Sequence, residues 1–169
     1  MSHLKPQDVL IALKLHLLRD KPRPKLLEIA QSLGISQAEV SHSLKRSAFA
    51  GLSRPEDGFP YAEALKEFLL HGLKYAFPAR LGPMSMGIPT GSSASPMKEH
   101  VQSANSVVWP SENGKVLGQS VEPLYPSAPF AASQDPKLHE LLSLIDGIRV
   151  GKARESAFAA RELEKRLSK

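Results

Sequence analysis

Residues 26–45 read Leu26-Leu-Glu-Ile-Ala-Gln-Ser-Leu-Gly-Ile-Ser-Gln-Ala-Glu-Val-Ser-His-Ser-Leu-Lys45, and their spacing decides the fold of the first third of the chain. Leu26, Ile29, Ala30 and Leu33 share one side of a short helix over about Lys25 to Leu33. Gly34 supplies the backbone freedom that a sharp turn needs. Ser36 is a good N-cap for a third helix, and Glu39 three residues later completes a capping box. Val40, Leu44 and Phe49 then point inward, and the helix stops near Gly51. Ala30 is small where two helices must cross closely, and Ile29, Leu33, Ile35, Val40 and Leu44 fill the wedge between them. These residue types meet the demands of a helix-turn-helix corner.

On the N-terminal side, Leu4, Val9, Leu10, Leu13, Leu17 and Leu18 recur at helical spacing, and Pro6 suits a first turn. Asp20-Lys-Pro-Arg-Pro24 interrupts that helix, because neither proline can continue it. On the C-terminal side, residues 52–60 form a loop or a very short hairpin. Tyr61 to Tyr75 returns to helical spacing until Pro78. Nine of the 14 prolines lie between Pro78 and Pro136, and residues 82–96, rich in glycine and serine, predict an extended loop. Val107-Val-Trp109 and Val116 to Val121, joined through Asn113-Gly114, predict a small β-hairpin whose prolines confine it to edge positions. Asp135-Pro136 opens another helix with the stripe Leu138, Leu141, Leu142, Ile145, Ile148, and a charged helix runs from about Ala153 to Leu167. The expected organisation is a helical domain over residues 1–77 and a smaller α+β region, with a hairpin and two helices, over residues 78–169.

Composition narrows the function classes. The chain has 169 residues, 41% of them hydrophobic and 23% charged, with no apolar run long enough to span a bilayer. Met1-Ser-His-Leu-Lys-Pro lacks the features of a secretory signal, so a cytoplasmic protein without membrane contact is expected. The absence of cysteine excludes disulfides, thiolate nucleophiles and Cys-based zinc sites. The net charge is +5, and it is unevenly spread. Residues 1–50 carry eight Lys/Arg against four Asp/Glu, residues 101–150 three against five, and residues 151–169 six against three. Positive charge therefore gathers at the two ends, within helical segments.

The third helix presents a hydrophilic face of Ser36, Gln37, Ser41, His42, Lys45 and Arg46. Hydroxyl, amide and imidazole groups can exchange hydrogen bonds with base edges in a major groove, while Lys and Arg hold phosphates. Gln37, Ser41 and His42 are expected to read bases, and Lys45 and Arg46 to grip the backbone. Lys21, Arg23 and Lys25 stand where they could follow phosphates beside the N-terminus of the second helix, or be a solvated loop. His3, His16, His71, His100 and His139 have no metal-ligand spacing, and His71, between Leu70 and Gly72, reads as buried. Gly87-Ile-Pro-Thr-Gly-Ser-Ser93 has no following Lys-Ser/Thr and so is not a P-loop, and no nucleophile elbow occurs. No metal, cofactor or catalytic group is expected. Tyr75, Phe77, Trp109, Tyr125 and Phe130 read as core and loop-fixing aromatics, and Arg149-Val-Gly-Lys-Ala-Arg154 as either a phosphate or protein contact or a solvated junction.

Glu28-Ile-Ala, Leu33-Gly-Ile-Ser, Val40-Ser-His, Leu44-Lys-Arg and Ala50-Gly-Leu52 resemble the winged helix-turn-helix transcriptional regulators, especially bacterial ones, across roughly residues 4–52. Ser43 stands where many such motifs place a large apolar residue, and residues 52–60 are short and proline-rich for two wing strands. Glu67 to Pro78, Val108-Trp-Pro, Val121 to Pro126 and Asp146 to Glu155 are similar to stretches of bacterial helix-turn-helix proteins, which implies one continuous regulator family. The resemblance implies a winged-helix-like N-terminal domain and sequence-specific binding of double-stranded DNA. A homodimer is expected on physical grounds, because one short helix reads few base pairs; the first helix or the Leu138–Ile148 stripe offers apolar surface for the contact. The alternative is an antitoxin-like or accessory module that grips a partner protein through its C-terminal half, with residues 78–136 ordering on binding.

Overall fold

A computed structural model describes residues 3–168, so the reading of Met1-Ser2 lies outside the described residues. The fold is mainly helical, at 54%, with a small three-stranded sheet. Two helices form its axis. In α1 (Pro6–Leu17), Val9 to Leu13 and Leu15 are all buried. The second axial helix is α7 (Pro136–Val150), whose Leu138, Leu141, Leu142, Leu144, Ile145 and Ile148 are buried too. Asp135 caps α7 as expected: its Oδ1 accepts from the backbone N–H of Lys137 and Leu138 at 3.1 and 3.2 Å. Lys14 Nζ of α1 donates to the other carboxylate oxygen at 2.9 Å, which ties the two helices together. One apolar cluster runs from Val9 to Leu167 across the expected boundary at residue 77. Both surfaces expected to serve a homodimer are thus spent inside the single chain, because each helix is covered by the other and by its neighbours.

The corner predicted by residues 26–45 is α2 (Leu26–Leu33) and α3 (Gln37–Phe49), joined where Gly34 adopts a φ of +66°. Ser36 Oγ accepts from Glu39 N at 3.1 Å, but the Glu39 carboxylate turns away, so only half of the capping box forms. The inner face of α3 follows Val40, Ser43 and Ser47, one step round from the expected Val40, Leu44, Phe49. Leu44 is half-buried, and Phe49 is 71% exposed rather than internal. Beyond α3, the loop makes one antiparallel bridge, Ser53 to Pro60, supported by Arg54 N to Phe59 O at 3.0 Å. The helical stretch before Pro78 divides at Gly72 into α4 (Ala62–His71) and α5 (Leu73–Ala76). His71, predicted to be buried, is exposed on α4.

The largest departure lies in residues 82–121. Met84–Pro89 is a strand, β1, in the segment predicted to be loop. The two predicted hairpin strands, β2 (Val107–Pro110) and β3 (Val116–Ser120), are parallel to one another, and each pairs antiparallel with β1. They also pair with each other, Val107 with Gln119 and Val108 with Ser120, so the three strands close on themselves, and residues 111–115 pass over β1 at Gly87. The crossing needs two glycines: a Cβ on Gly114 would fall 2.2 Å from Gly87 Cα, and one on Gly87 would fall 2.1 Å from the Trp109 carbonyl oxygen. Asn113-Gly114 is a crossing point and not a hairpin turn. Helix α6 (Ala128–Gln134), absent from the expectation although Pro129 stands in its first turn, packs on α2, and α8 (Ala153–Leu167) lies against α7 and α4.

Asp146 of α7 pins the sheet to the helical core. Its Oδ2 accepts from Thr90 Oγ1 at 2.6 Å and Trp109 Nε1 at 2.8 Å, and its Oδ1 from Arg149 at 3.1 Å. Burial raises its pKa, against the opposing pull of Arg149 and the other donors. Arg149 also donates to the Phe77 carbonyl at 3.0 Å, so it is a buried tie rather than a phosphate contact. Trp109 is core as expected, whereas Tyr75 is 74% exposed.

Candidate nucleic-acid interface

Helix α3 is held by its inner side and open on its outer one. Asp8 of α1 is fully buried, and Arg46 meets it through Nε at 2.9 Å and Nη2 at 2.7 Å, a two-pronged ion pair. Arg46 also pairs with Glu39, which in turn accepts from Gln7 Nε2 at 3.0 Å. The hydrogen bonds that it donates to Asp8 first, and then to Glu39, raise the guanidinium pKa despite its burial. The hydrogen bond from Arg46 is likewise the main cause that lowers the Glu39 pKa.

Arg46 is therefore not the phosphate contact that the helical face predicts. One turn after Ser43, it lies toward α1, where an unpaired Asp8 would be costly, so its charge is consumed within the fold. The other predicted residues remain outward. Ser36, Gln37, His42 and Lys45 are exposed, and Ser41 is half-buried between them. His42 Nδ1 lies 3.7 Å from Glu39 Oε2, and the imidazole itself stays open. Lys25 is exposed at the start of α2, separate from the α3 face, with Lys21 and Arg23 before it.

The sequence reading missed Arg54. It lies in the loop after α3, and with Arg23 and Lys45 it lines a concavity of about 290 Å³ beside Leu44 and Gly58. Arg54 donates to both carboxylate oxygens of Asp57, at 3.0 and 2.9 Å, in an exposed pair that a competing anion can replace. The available signal was an arginine a few residues after the end of α3, in a turn containing Pro55 and Gly58. The resulting surface has amide, hydroxyl and imidazole groups on one helix, flanked by cations from three separate segments. It can exchange hydrogen bonds with a patterned polar partner and attract a polyanion. Among the described residues no group of three or more His, Asp or Glu side chains is placed to hold a metal ion, and no helix is long and apolar enough to cross a membrane.

Comparison of the chain with protein-family models, curated proteins and solved structures finds no match.

Proposed function

We propose that the protein is a sequence-specific regulator that binds duplex DNA by inserting α3 into the major groove, with a winged-helix-like N-terminal part whose wing is reduced to the single bridge between Ser53 and Pro60. One observation carries the reading: the outward side of α3 keeps Ser36, Gln37, His42 and Lys45 in solvent while the Asp8–Arg46 pair fixes its inner side. A helix anchored in this way presents its polar groups at a set depth and rotation, which direct readout requires. Gln37, Ser41 and His42 read base edges. Lys45 holds phosphate, joined by Arg23 and Arg54 in place of Arg46, and Lys25 does so at the start of α2. The protein acts without catalysis or a cofactor.

Selection of bound fragments from genomic DNA, followed by anisotropy titration on the recovered site, tests this. Gln37→Ala should cost about 1–3 kcal/mol on that site and relax preference at one base pair. Lys45→Ala should weaken all sequences alike and reduce the salt slope by about one. Parental binding by both variants would overturn the assignment of α3. One helix reads few base pairs, so the proposal includes a two-fold pair of chains on DNA; one chain per site by sedimentation would overturn that part.

A second reading, binding of a partner protein through the C-terminal half, is favoured by the outer face of the sheet. Met84, Met86 and Leu117 are 52, 45 and 58% exposed, and Met86 and Leu117 are paired across β1 and β3. Retention of a specific protein by the parent, lost on Leu117→Lys, would support it.

A further inference from the structure

Two segments with no part in the DNA surface, Thr90-Gly-Ser-Ser93 and Val150-Gly-Lys-Ala-Arg154, converge on one cleft. Its volume is about 180 Å³. That is close to the ~150 Å³ cavity that accommodates a benzene-sized guest, so the cleft has room for a small molecule. Gly91 and Ser92 form one wall, the end of α7 and the start of α8 another, and Gln102, Asn105 and Gln119 bring carboxamides to the rest.

Three features point to a ligand. Ser92 is 6% exposed, and its hydroxyl has no partner within the protein. The 15-residue α8 starts at the cleft with no side-chain cap, which leaves its N-terminal turn suited to a carboxylate. Lys152 and Glu155, of opposite charge and three residues apart, both line the cleft, yet no ion pair joins them or ties either to another described residue.

This charge pattern discriminates between ligand classes. A simple dianion would satisfy the helix end and Lys152 but would meet the Glu155 carboxylate without compensation. A neutral guest would answer neither charge. A molecule bearing one negative and one positive group a few bonds apart answers both. We propose that the cleft binds a small free α-amino acid, its carboxylate at the first turn of α8 beside Lys152 and its ammonium at Glu155. Ser92 and the carboxamides take the remaining hydrogen bonds. The proposal does not depend on DNA binding.

The test uses the full chain in thermal-shift and calorimetric titrations with each standard L-amino acid up to about 10 mM, and with sodium phosphate at matched ionic strength. At least one small amino acid should give a saturable stabilisation. Its N-acetyl and methyl-ester derivatives, which remove one charge each, should bind about tenfold more weakly or worse. Glu155→Gln and Lys152→Gln should each weaken binding by a similar factor, while circular dichroism melts in the absence of ligand stay near the parent's. No saturable response to any amino acid, derivatives that bind as well as the parent compound, or saturation by phosphate alone would each overturn the proposal.

Discussion

Replacing Arg46 with alanine removes both arms that reach Asp8 and leaves that carboxylate, 0% exposed, without its cation. Breaking a buried pair by deleting one partner costs about 3–5 kcal/mol, because the surviving charge stays desolvated. The loss at Glu39 adds little, since that carboxylate is a quarter exposed and keeps Gln7. For a chain of this size, 1 kcal/mol shifts Tm by about 2–4 °C, so Arg46→Ala should melt roughly 6–20 °C below the parent. Urea denaturation followed by circular dichroism reads the same loss as a lower midpoint with an unchanged slope. The double variant Asp8→Leu with Arg46→Met removes both charges, retains volume, and should recover most of the stability. Lys45→Ala, one residue away and exposed, should leave stability within about 0.5 kcal/mol of the parent's while weakening DNA binding. A loss below about 1 kcal/mol for Arg46→Ala, together with reduced affinity for every DNA sequence, would refute the reasoning and return Arg46 to the phosphate backbone.

Other consequences are equally direct. Gly87→Ala would press a methyl group to 2.1 Å from the Trp109 carbonyl oxygen; it should cost about 1–3 kcal/mol or more and alter Trp109 fluorescence. Asp146→Ala should strand Trp109 Nε1, the Thr90 hydroxyl and Arg149, at a cost of about 3–5 kcal/mol by denaturation, with Asp146→Asn milder because one acceptor oxygen remains. Stability should decline in acid in two stages. His16, whose pKa burial lowers from 6.5, stabilises fully only above that value and loses its contribution as pH falls through its folded value. Glu39 is lowered by Arg46; Asp135 is lowered by Lys14 and the α7 amides despite burial. Their contributions are present above their unfolded values of 4.5 and 3.8 and are lost below them. Denaturation midpoints measured from about pH 7 to pH 3 check this, and a flat profile would count against both assignments.

What was legible in the sequence is what is local. The periodicity of Val9, Leu10 and Leu13, the stop at Gly34, and the caps Ser36 and Asp135 each act within a turn or two of chain, and the helices begin and end where they indicate. The direction of Arg46 is a different kind of information, because its partner lies 38 residues away. Helical spacing alone places it at the margin of the polar face, and only the packing of α1 across α3 makes that margin an interior. The same distinction explains the sheet. Met84-Ser-Met-Gly-Ile-Pro89 has the composition of a loop, and its status as a strand comes from partner residues 19 to 35 positions downstream. Asn113-Gly114 carries a genuine local turn signal, yet Gly87 lets the chain cross β1 there.

These two departures bear on the candidate interface in opposite ways. The sheet lies in another part of the chain, so misreading its topology moved none of the α3 residues. Burial of Arg46 changes the candidate interface itself, since it removes a cation from the margin of the α3 face and leaves Lys45, with Arg23 and Arg54 beside it, to supply charge. A charge on a helix axis would favour any duplex equally, whereas cations at the side with amide and hydroxyl groups between them separate holding from reading. Under the proposed function, the network that makes Arg46 unavailable to phosphate leaves holding to Lys45 and the flanking cations, and reading to the uncharged groups Gln37, Ser41 and His42.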